Sequence, residues 1–400
     1  MWTTYDPNWR EFVISTFQLI LVFFEEALPA PLVEEMDRAA RRAIDMAVLR
    51  AQSEFTPLNT NVRVMHVMMC DWYGVRWGDE ALREHALRYA RQLLESYREL
   101  HAVPEFNSPT YNGVVFTFIG FWQTLGSCEE LRALGRELEE GLWRDLSDFW
   151  DPAMGQVCGP YSRAYELDCR VHTALPAILY LTGVLDELPP LSIESDQAAI
   201  LALARFAVPR DVLPQLKGSR GERTVERTFR ELAERGDPRD CHALCTATAW
   251  IGEGLMLGGM RGSRNTSYQL HPLVAFWRNA RGSLSTIKLL RRDAQGRLTH
   301  LHTVLMDFTA EARHLSGTVR MQAGQPIVPY LEVESPDLDS AVFAADRWEV
   351  CGLTLGLTAT RTRNGVTAPA PFTVERVSGT VARVCFPAED GDVLTLDLRF

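Results

Sequence analysis

Three polar segments stand out from a chain that is otherwise apolar or plainly surface-like. Each carries side chains able to move a proton or offset a charge. The first is Pro104-Glu-Phe-Asn-Ser-Pro-Thr-Tyr111, at the start of an apolar run. Asn107 is placed to cap a helix there, Pro109 suits its first turn, and Tyr111 falls on the first exposed turn. A helix start accounts for Asn107 and Pro109 but not for Glu105 and Tyr111 beside them. An amide, a carboxylate and a phenol are therefore expected at one mouth. The second segment is Cys158-Gly-Pro-Tyr-Ser-Arg-Ala-Tyr-Glu-Leu-Asp168, followed by Arg170 and His172. A helix beginning near Ser162 would put Tyr161, Tyr165, Asp168 and His172 on one face, with Arg163 near its start. Such a face is costly to bury unless it is used or internally paired, the structural alternative being Asp168 holding His172 or Arg163. The third segment, Gly258 to Pro272, packs Arg261, Arg264, Asn265, Tyr268, Gln269 and His271 into eleven residues. Its arginines could clamp a carboxylate in two-pronged fashion, or could form the salt bridges of an interdomain hinge.

These residue types suit elimination across a bond beside a carboxylate. Arg163, Arg264 or Asn107 would offset the carboxylate charge, making the adjacent proton acidic. A tyrosine (Tyr111, Tyr161 or Tyr165) would take that proton if a nearby arginine lowers its pKa. A second tyrosine or His172 would protonate the leaving oxygen. Glu105, Asp168 and Gln269 would then bind substrate. No metal or organic cofactor is required, and none is expected. Hydrolysis of a glycoside by Glu105 and Asp168 is an alternative use of the same residues. His66, in an apolar run with Asn61 just over one turn before it, forms a secondary candidate pair. The pairs Glu25-Glu26 and Glu139-Glu140 read as solvated helix surface. Cys241 and Cys245 read as small core residues of an Ala-rich helix. The eight cysteines are scattered without a framework spacing, as reduced thiols would be.

Helices and strands must position these groups. From Pro7 to about Gly258 apolar residues recur at helical spacing. Leu32, Met36, Ala39, Ala43 and Met46 form one stripe. Leu82, Ala86, Tyr89, Leu93, Tyr97 and Leu100 form another, and Leu131 through Phe149 a third. More evenly apolar runs (Phe12–Phe24, Asn61–Tyr73, Val114–Leu125, Val171–Leu185) alternate with them. Eight or nine helices in inner and outer layers predict an incomplete (α/α) toroid. After Gly258-Gly259, short β-rich runs such as Val274–Trp277, Leu284–Leu290, Ile327–Val333 and Val393–Phe400 predict an antiparallel β-sandwich of about eight strands. The expected class is α+β, a toroid over 1–258 packed on a sandwich over 259–400.

Composition narrows the partners. The formal charge of −11, from 41 basic and 52 acidic residues, argues against a nucleic-acid backbone or anionic membrane as the main partner. Phe12–Phe24 is too short for a membrane span and is flanked by acids rather than by a signal-peptide pattern, so a cytoplasmic protein is expected. No G-x-S-x-G elbow, P-loop, dinucleotide fingerprint or H-E-x-x-H motif occurs. The expected partner is a small molecule or an oligosaccharide, with self-association left open.

The order of helical toroid, Glu-Phe-Asn-Ser-Pro-Thr-Tyr, Gly-Pro-Tyr-Ser-Arg-Ala-Tyr and a Gly-Ser-Arg crossing into a sandwich resembles the heparinase-like polysaccharide lyases. That resemblance implies β-elimination on a uronate-containing saccharide, with Asn107 as neutraliser and Tyr111, Tyr161 or Tyr165 as base and acid. The chain lacks the Asn-His pair of that family. A biosynthetic cyclase or isomerase using the toroid as an apolar, acid-lined chamber is the reading from another class.

Overall fold

Helical periodicity in the N-terminal part becomes helices in the computed structural model, which describes residues 6–53, 58–171, 174–188, 198–232, 242–279, 281–298, 304–322 and 326–400. Helices come first and antiparallel strands follow. Two compact units are formed, neither a single stretch of chain. One comprises residues 1–105, 111–143 and 173–208, and the other 106–110, 144–172 and 209–400.

The first unit holds α1 (Trp9–Phe24), α2 (Ala30–Ala51), α3 (Thr60–Trp77), α4 (Glu80–Leu100), α5 (Asn112–Leu125), the part of α6 (Glu129–Phe149) up to Trp143, α7 (Ala174–Leu181) and α8 (Ala198–Leu201). The two evenly apolar helices, α3 and α5, are buried along most of their length. They pack on each other, and α3 also packs on α1 and α4. Trp122 of α5 ties the pair by donating from Nε1 to Val64 O at 2.8 Å. Three expectations change here. The buried stripe of α2 is Met36, Ala40, Ile44 and Ala47, one position on from the expected one, which leaves Leu32 and Met46 exposed. Helix α1 is buried on only one side, with Trp9, Val13, Phe23 and Phe24 exposed. Glu139 is not solvated: it is 2% exposed and accepts from Gln123 Nε2, Trp143 Nε1 and Ala207 N at 2.6, 3.2 and 2.8 Å. No described helix is long and apolar enough to cross a membrane.

The second unit is built on two antiparallel sheets. Among the described residues its fifteen sheet strands are β3 (Arg223–Arg230), β4 (Leu244–Gly252), β5 (Leu255–Arg261), β6 (Leu273–Arg278), β7 (Leu284–Asp293), β8 (Val304–Glu311), β9 (His314–Met321), β10 (Ile327–Glu334), β11 (Val342–Phe343), β12 (Arg347–Val350), β13 (Leu353–Arg363), β14 (Val366–Pro369), β15 (Thr373–Arg376), β16 (Val381–Cys385) and β17 (Val393–Arg399). A small hairpin of β1 (Trp150–Asp151) and β2 (Gln156–Val157) precedes them. One sheet runs β15-β16-β10-β7-β6-β5-β4-β3; the other runs β11-β12-β13-β17-β9-β8, with β14 on β13. Strands β4 and β5 pack face to face on β8. At that contact Thr248 Oγ1 accepts from Ala310 N at 2.7 Å and donates to Gly259 O at 3.3 Å.

The helical reading of the chain up to Gly258 fails beyond α9 (Leu213–Lys217), because β3 and β4 lie before that point and β5 runs across it. The Ala-rich run around Cys245 is strand β4, buried along nearly its whole length. In isolation Ala favours a helix and β-branched Thr a strand, so the local choice stays open. Between two sheets both allow close approach, and that context decides. Cys245 is a buried strand residue, while Cys241 lies outside the described residues.

Candidate functional site

The three polar segments resolve into a loop assembly in the second unit and separate features in the first. In the second unit, Phe106 is anchored by stacking on Phe229, with centroids 4.3 Å apart. Asn107 does not cap a helix. It adopts a left-handed φ of 53°, which asparagine tolerates. Its Nδ2 donates to Cys158 O at 2.7 Å and to Pro160 O at 3.0 Å. Ser162 donates from both N and Oγ to Phe106 O, at 3.2 and 3.0 Å, and Tyr165 N donates to Thr110 Oγ1 at 3.2 Å. The short segment 106–110 is thus clamped to 158–165. Helix α5 instead starts with Tyr111 as its N-cap, without a side-chain capping bond.

Residues 161–164 are in turn zippered to 265–271. Tyr161 and His271 exchange backbone hydrogen bonds at 3.2 and 3.0 Å, and Ala164 N donates to Gln269 O at 2.9 Å. Arg163 Nε donates to Gln269 Oε1 at 2.6 Å, and Asn265 Nδ2 to Ser162 O at 3.3 Å. His271 Nε2 faces Ala164 O at 3.0 Å; a carbonyl only accepts, so Nε2 carries the proton. Burial, with Lys288 and Arg291 nearby, pulls this histidine's pKa down to about 3, so the ring is neutral. The far side of the loop hangs on Glu231, a residue the sequence reading overlooked. It is 1% exposed and accepts from Ser263 Oγ at 2.6 Å and Arg264 N at 2.5 Å. Burial pushes its carboxyl above the usual range. Its signal in sequence was an acid closing a strand of alternating polarity, which a helical reading of 223–231 hides.

Residues 161–168 are not helical, so the expected shared face of Tyr161, Tyr165, Asp168 and His172 does not form. His172 lies outside the described residues. Tyr161 is fully buried, and its hydroxyl donates to Val157 O. Burial raises its pKa well above the ordinary phenol value, which makes it a brace rather than a base. Tyr165 is 48% exposed. Asp168 is held by Arg170. Burial opposes its charge, yet bonds from Arg170 Nη2 at 2.6 Å, Arg170 N at 2.9 Å and Gln156 Nε2 at 2.5 Å keep its carboxyl below the usual range. The segment 262–271 is a loop between β5 and β6 rather than a helix-to-sheet hinge. Arg264 on it is exposed, and Gln269 is buried. Beyond Tyr165, residues Glu166, Asp168, Arg170, Arg281, Thr286 and Glu334 are among those lining an open cleft of 850 Å³ in the same unit. That volume lies in the range of small-ligand sites. Glu334 there is pushed up by burial, with Glu166, Glu332 and Asp168 adding to the rise against Lys288.

In the first unit, Glu105 and Asn61 meet each other. Glu105 Oε2 accepts from Asn61 N at 3.0 Å at the start of α3, where a carboxylate satisfies an orphan helix donor. Tyr111 is buried, not on an exposed turn as expected, because the start of α5 packs inward. His66 is not paired with Asn61. Its Nε2 lies 2.8 Å from His85 Nε2 and 3.7 Å from Cys70 Sγ, and its Nδ1 lies 3.4 Å from Glu11 Oε1. His85 on α4 escaped the sequence reading because it sits on an otherwise ordinary amphipathic helix. Burial, then His66 and Arg88, take the His85 pKa down to about 4.

Residues 1–196 match the model of a family described as a domain of unknown function, DUF8769. No curated protein matches the chain. Among solved structures it is distantly similar to a mutant of the heparan sulfate lyase HepC from Pedobacter heparinus. The identity is 11%, over 98% of this chain and 68% of that one, with a TM-score of 0.39.

Proposed function

We propose that the chain is a carbon–oxygen lyase that acts by β-elimination on a uronate-bearing saccharide or a similar acidic small molecule. The observation that supports this reading best is the zipper between 161–164 and 265–271, in which each of two joined loops carries a tyrosine and an arginine. Arg163 and Tyr165 come from one loop, and Arg264 and Tyr268 from the other. In the proposed reaction an arginine offsets the uronate carboxylate and a tyrosinate removes the adjacent C–H proton. The electron pair released forms the C=C bond as the neighbouring C–O bond breaks. The second tyrosine protonates the departing oxygen, and no water is consumed. Tyr165, half-exposed, is the proposed base. Asn107 and Tyr161 hold the loops, and the cleft beyond Asp168 receives the rest of the substrate. The partial toroid belongs to the same proposal, through the motif order shared with heparinase-like lyases.

A cyclase would use the apolar pocket of the first unit, a 540 Å³ hollow between α1, α5 and α8. Among the described residues its lining is apolar apart from Ser15, Thr16 and the Trp9 indole N–H, with no acid to start a cyclisation. Elimination is therefore the reading carried forward. Uronate oligosaccharides of defined composition are the test. Elimination creates a conjugated unsaturated uronate with new ultraviolet absorbance, whereas hydrolysis yields reducing ends without it. Tyr165→Phe is expected to cut turnover by about 10²–10⁴-fold with melting unchanged. A fully active Tyr165→Phe protein, or reducing ends without absorbance, would overturn the proposal.

A further inference from the structure

The first unit contains a second chemical centre that the proposed elimination does not use. His66 and Cys70 stand one helical turn apart on α3, and His85 faces them from α4. Their ligating atoms all lie within 4.8 Å of one another, and all three residues are buried. A tetrahedral ion with bonds of about 2.0–2.1 Å to nitrogen and about 2.3 Å to sulfur sets its ligand atoms about 3.3–3.6 Å apart. The nitrogens here are 2.8 Å apart, and Cys70 Sγ is 3.7 Å from His66 Nε2 and within 4.8 Å of the His85 ligating nitrogen, so side-chain shifts of about 1 Å would seat the ion. Behind His66, the fully buried Glu11 points Oε1 at Nδ1 from 3.4 Å, and neither carboxylate oxygen has a hydrogen bond among the described residues. A carboxylate behind a histidine is the arrangement that orients an imidazole toward a metal. We propose that His66 Nε2, Cys70 Sγ and His85 Nε2 bind a divalent transition-metal ion of zinc type, with Glu11 as the outer partner of His66.

The protons define how this site would load. Arg88 Nη2 is 3.1 Å from His85 Nδ1, and an arginine only donates, so in the metal-free chain Nδ1 accepts. His85 Nε2 then carries the ring proton and gives it to His66 Nε2, leaving the His66 proton on Nδ1, toward Glu11. Binding requires the His85 proton to move to Nδ1, where Arg88 opposes it. Arg88 is exposed and free to swing aside. The ion replaces the Cys70 thiol proton, which leaves to solvent, so one proton is released per ion and the thiolate offsets one of its two charges; Glu11 stands behind His66 with the buried Arg50 4.0 Å from its other oxygen.

The test uses the full chain, reduced and stripped with chelator, titrated with Co²⁺ and then Zn²⁺. One equivalent of Co²⁺ should give tetrahedral ligand-field bands and a thiolate charge-transfer band, both lost when Zn²⁺ displaces it. Cys70→Ser should lose the charge-transfer band, and Glu11→Gln should weaken binding about 10–100-fold. Arg88→Ala, an exposed change that spares the fold, should bind more tightly, which a merely structural cluster would not do. A folded wild type without the charge-transfer band would overturn the site. So would a band that survives in Cys70→Ser, or Arg88→Ala binding no more tightly than wild type.

Discussion

Glu231 is the point at which the candidate lyase loop can be loosened without touching any residue assigned to chemistry. Its two carboxylate oxygens receive the Ser263 hydroxyl at 2.6 Å and the Arg264 amide at 2.5 Å, inside a site 1% exposed. Glu231→Ala leaves both donors buried and unpaired, each costing about 1–3 kcal/mol. Relief of the buried charge returns part of that, so the net loss is about 2–4 kcal/mol. At about 2–4 °C per kcal/mol for a unit of this size, melting should fall by roughly 5–15 °C. Glu231→Gln keeps one acceptor and should cost only about 1 kcal/mol. The pH dependence has a definite sign. Because the folded carboxyl sits above its ordinary value, Glu231's contribution is fully present below the unfolded carboxylate pKa and is lost as pH rises through the folded one. The gap between wild type and Glu231→Gln should therefore narrow from acid to alkaline buffer. Thermal melts of the three proteins across pH, with uronate turnover on the same samples, are the measurement. Glu231→Ala melting with the wild type, or a gap that widens with pH, would refute the reasoning.

Two further outcomes follow from the packing of the second unit. A Cβ at Gly259 would stand 2.7 Å from Ala310 N and Thr309 Cα, backbone that cannot step aside, so Gly259→Ala should destabilise by about 1–3 kcal/mol or more. Soluble yield and melting temperature check this, and a variant as stable as wild type would deny the close contact of β5 with β8. His271, neutral in the fold with a pKa near 3, gives stability that is present above the unfolded value of about 6.5 and is lost as pH falls toward the folded one. Between about pH 6.5 and about pH 5 the loss should approach 2 kcal/mol, and denaturant titrations of His271→Asn should show a correspondingly flatter acid limb.

Local pattern was enough to read two textures along this chain. The helical stripes of α4 and α6, the apolar helices α3 and α5, and strands β6, β7, β10 and β17 lie where periodicity places them, because spacing alone states which face of an element must be buried. It was also enough to mark residues 104–111, 158–172 and 258–272 as polar segments in need of partners. Pairing was beyond it. Arg170 holds Asp168 because a single 3-10 turn at Cys169–Val171, not an α-helix from Ser162, carries them, and Tyr161 meets His271 only through a backbone bridge between distant loops. Asn107 spends its amide on two carbonyls of a remote segment. Helices α3 and α4 had to pack before His66 and His85 could face each other and before Glu11 from α1 could reach behind them. Ala and Thr between Leu244 and Gly252 suit a helix and a strand about equally, and only the neighbouring sheet made the choice. Periodicity encodes burial; which buried polar group satisfies which is decided by loop closure and packing, where an unpaired donor or charge becomes expensive.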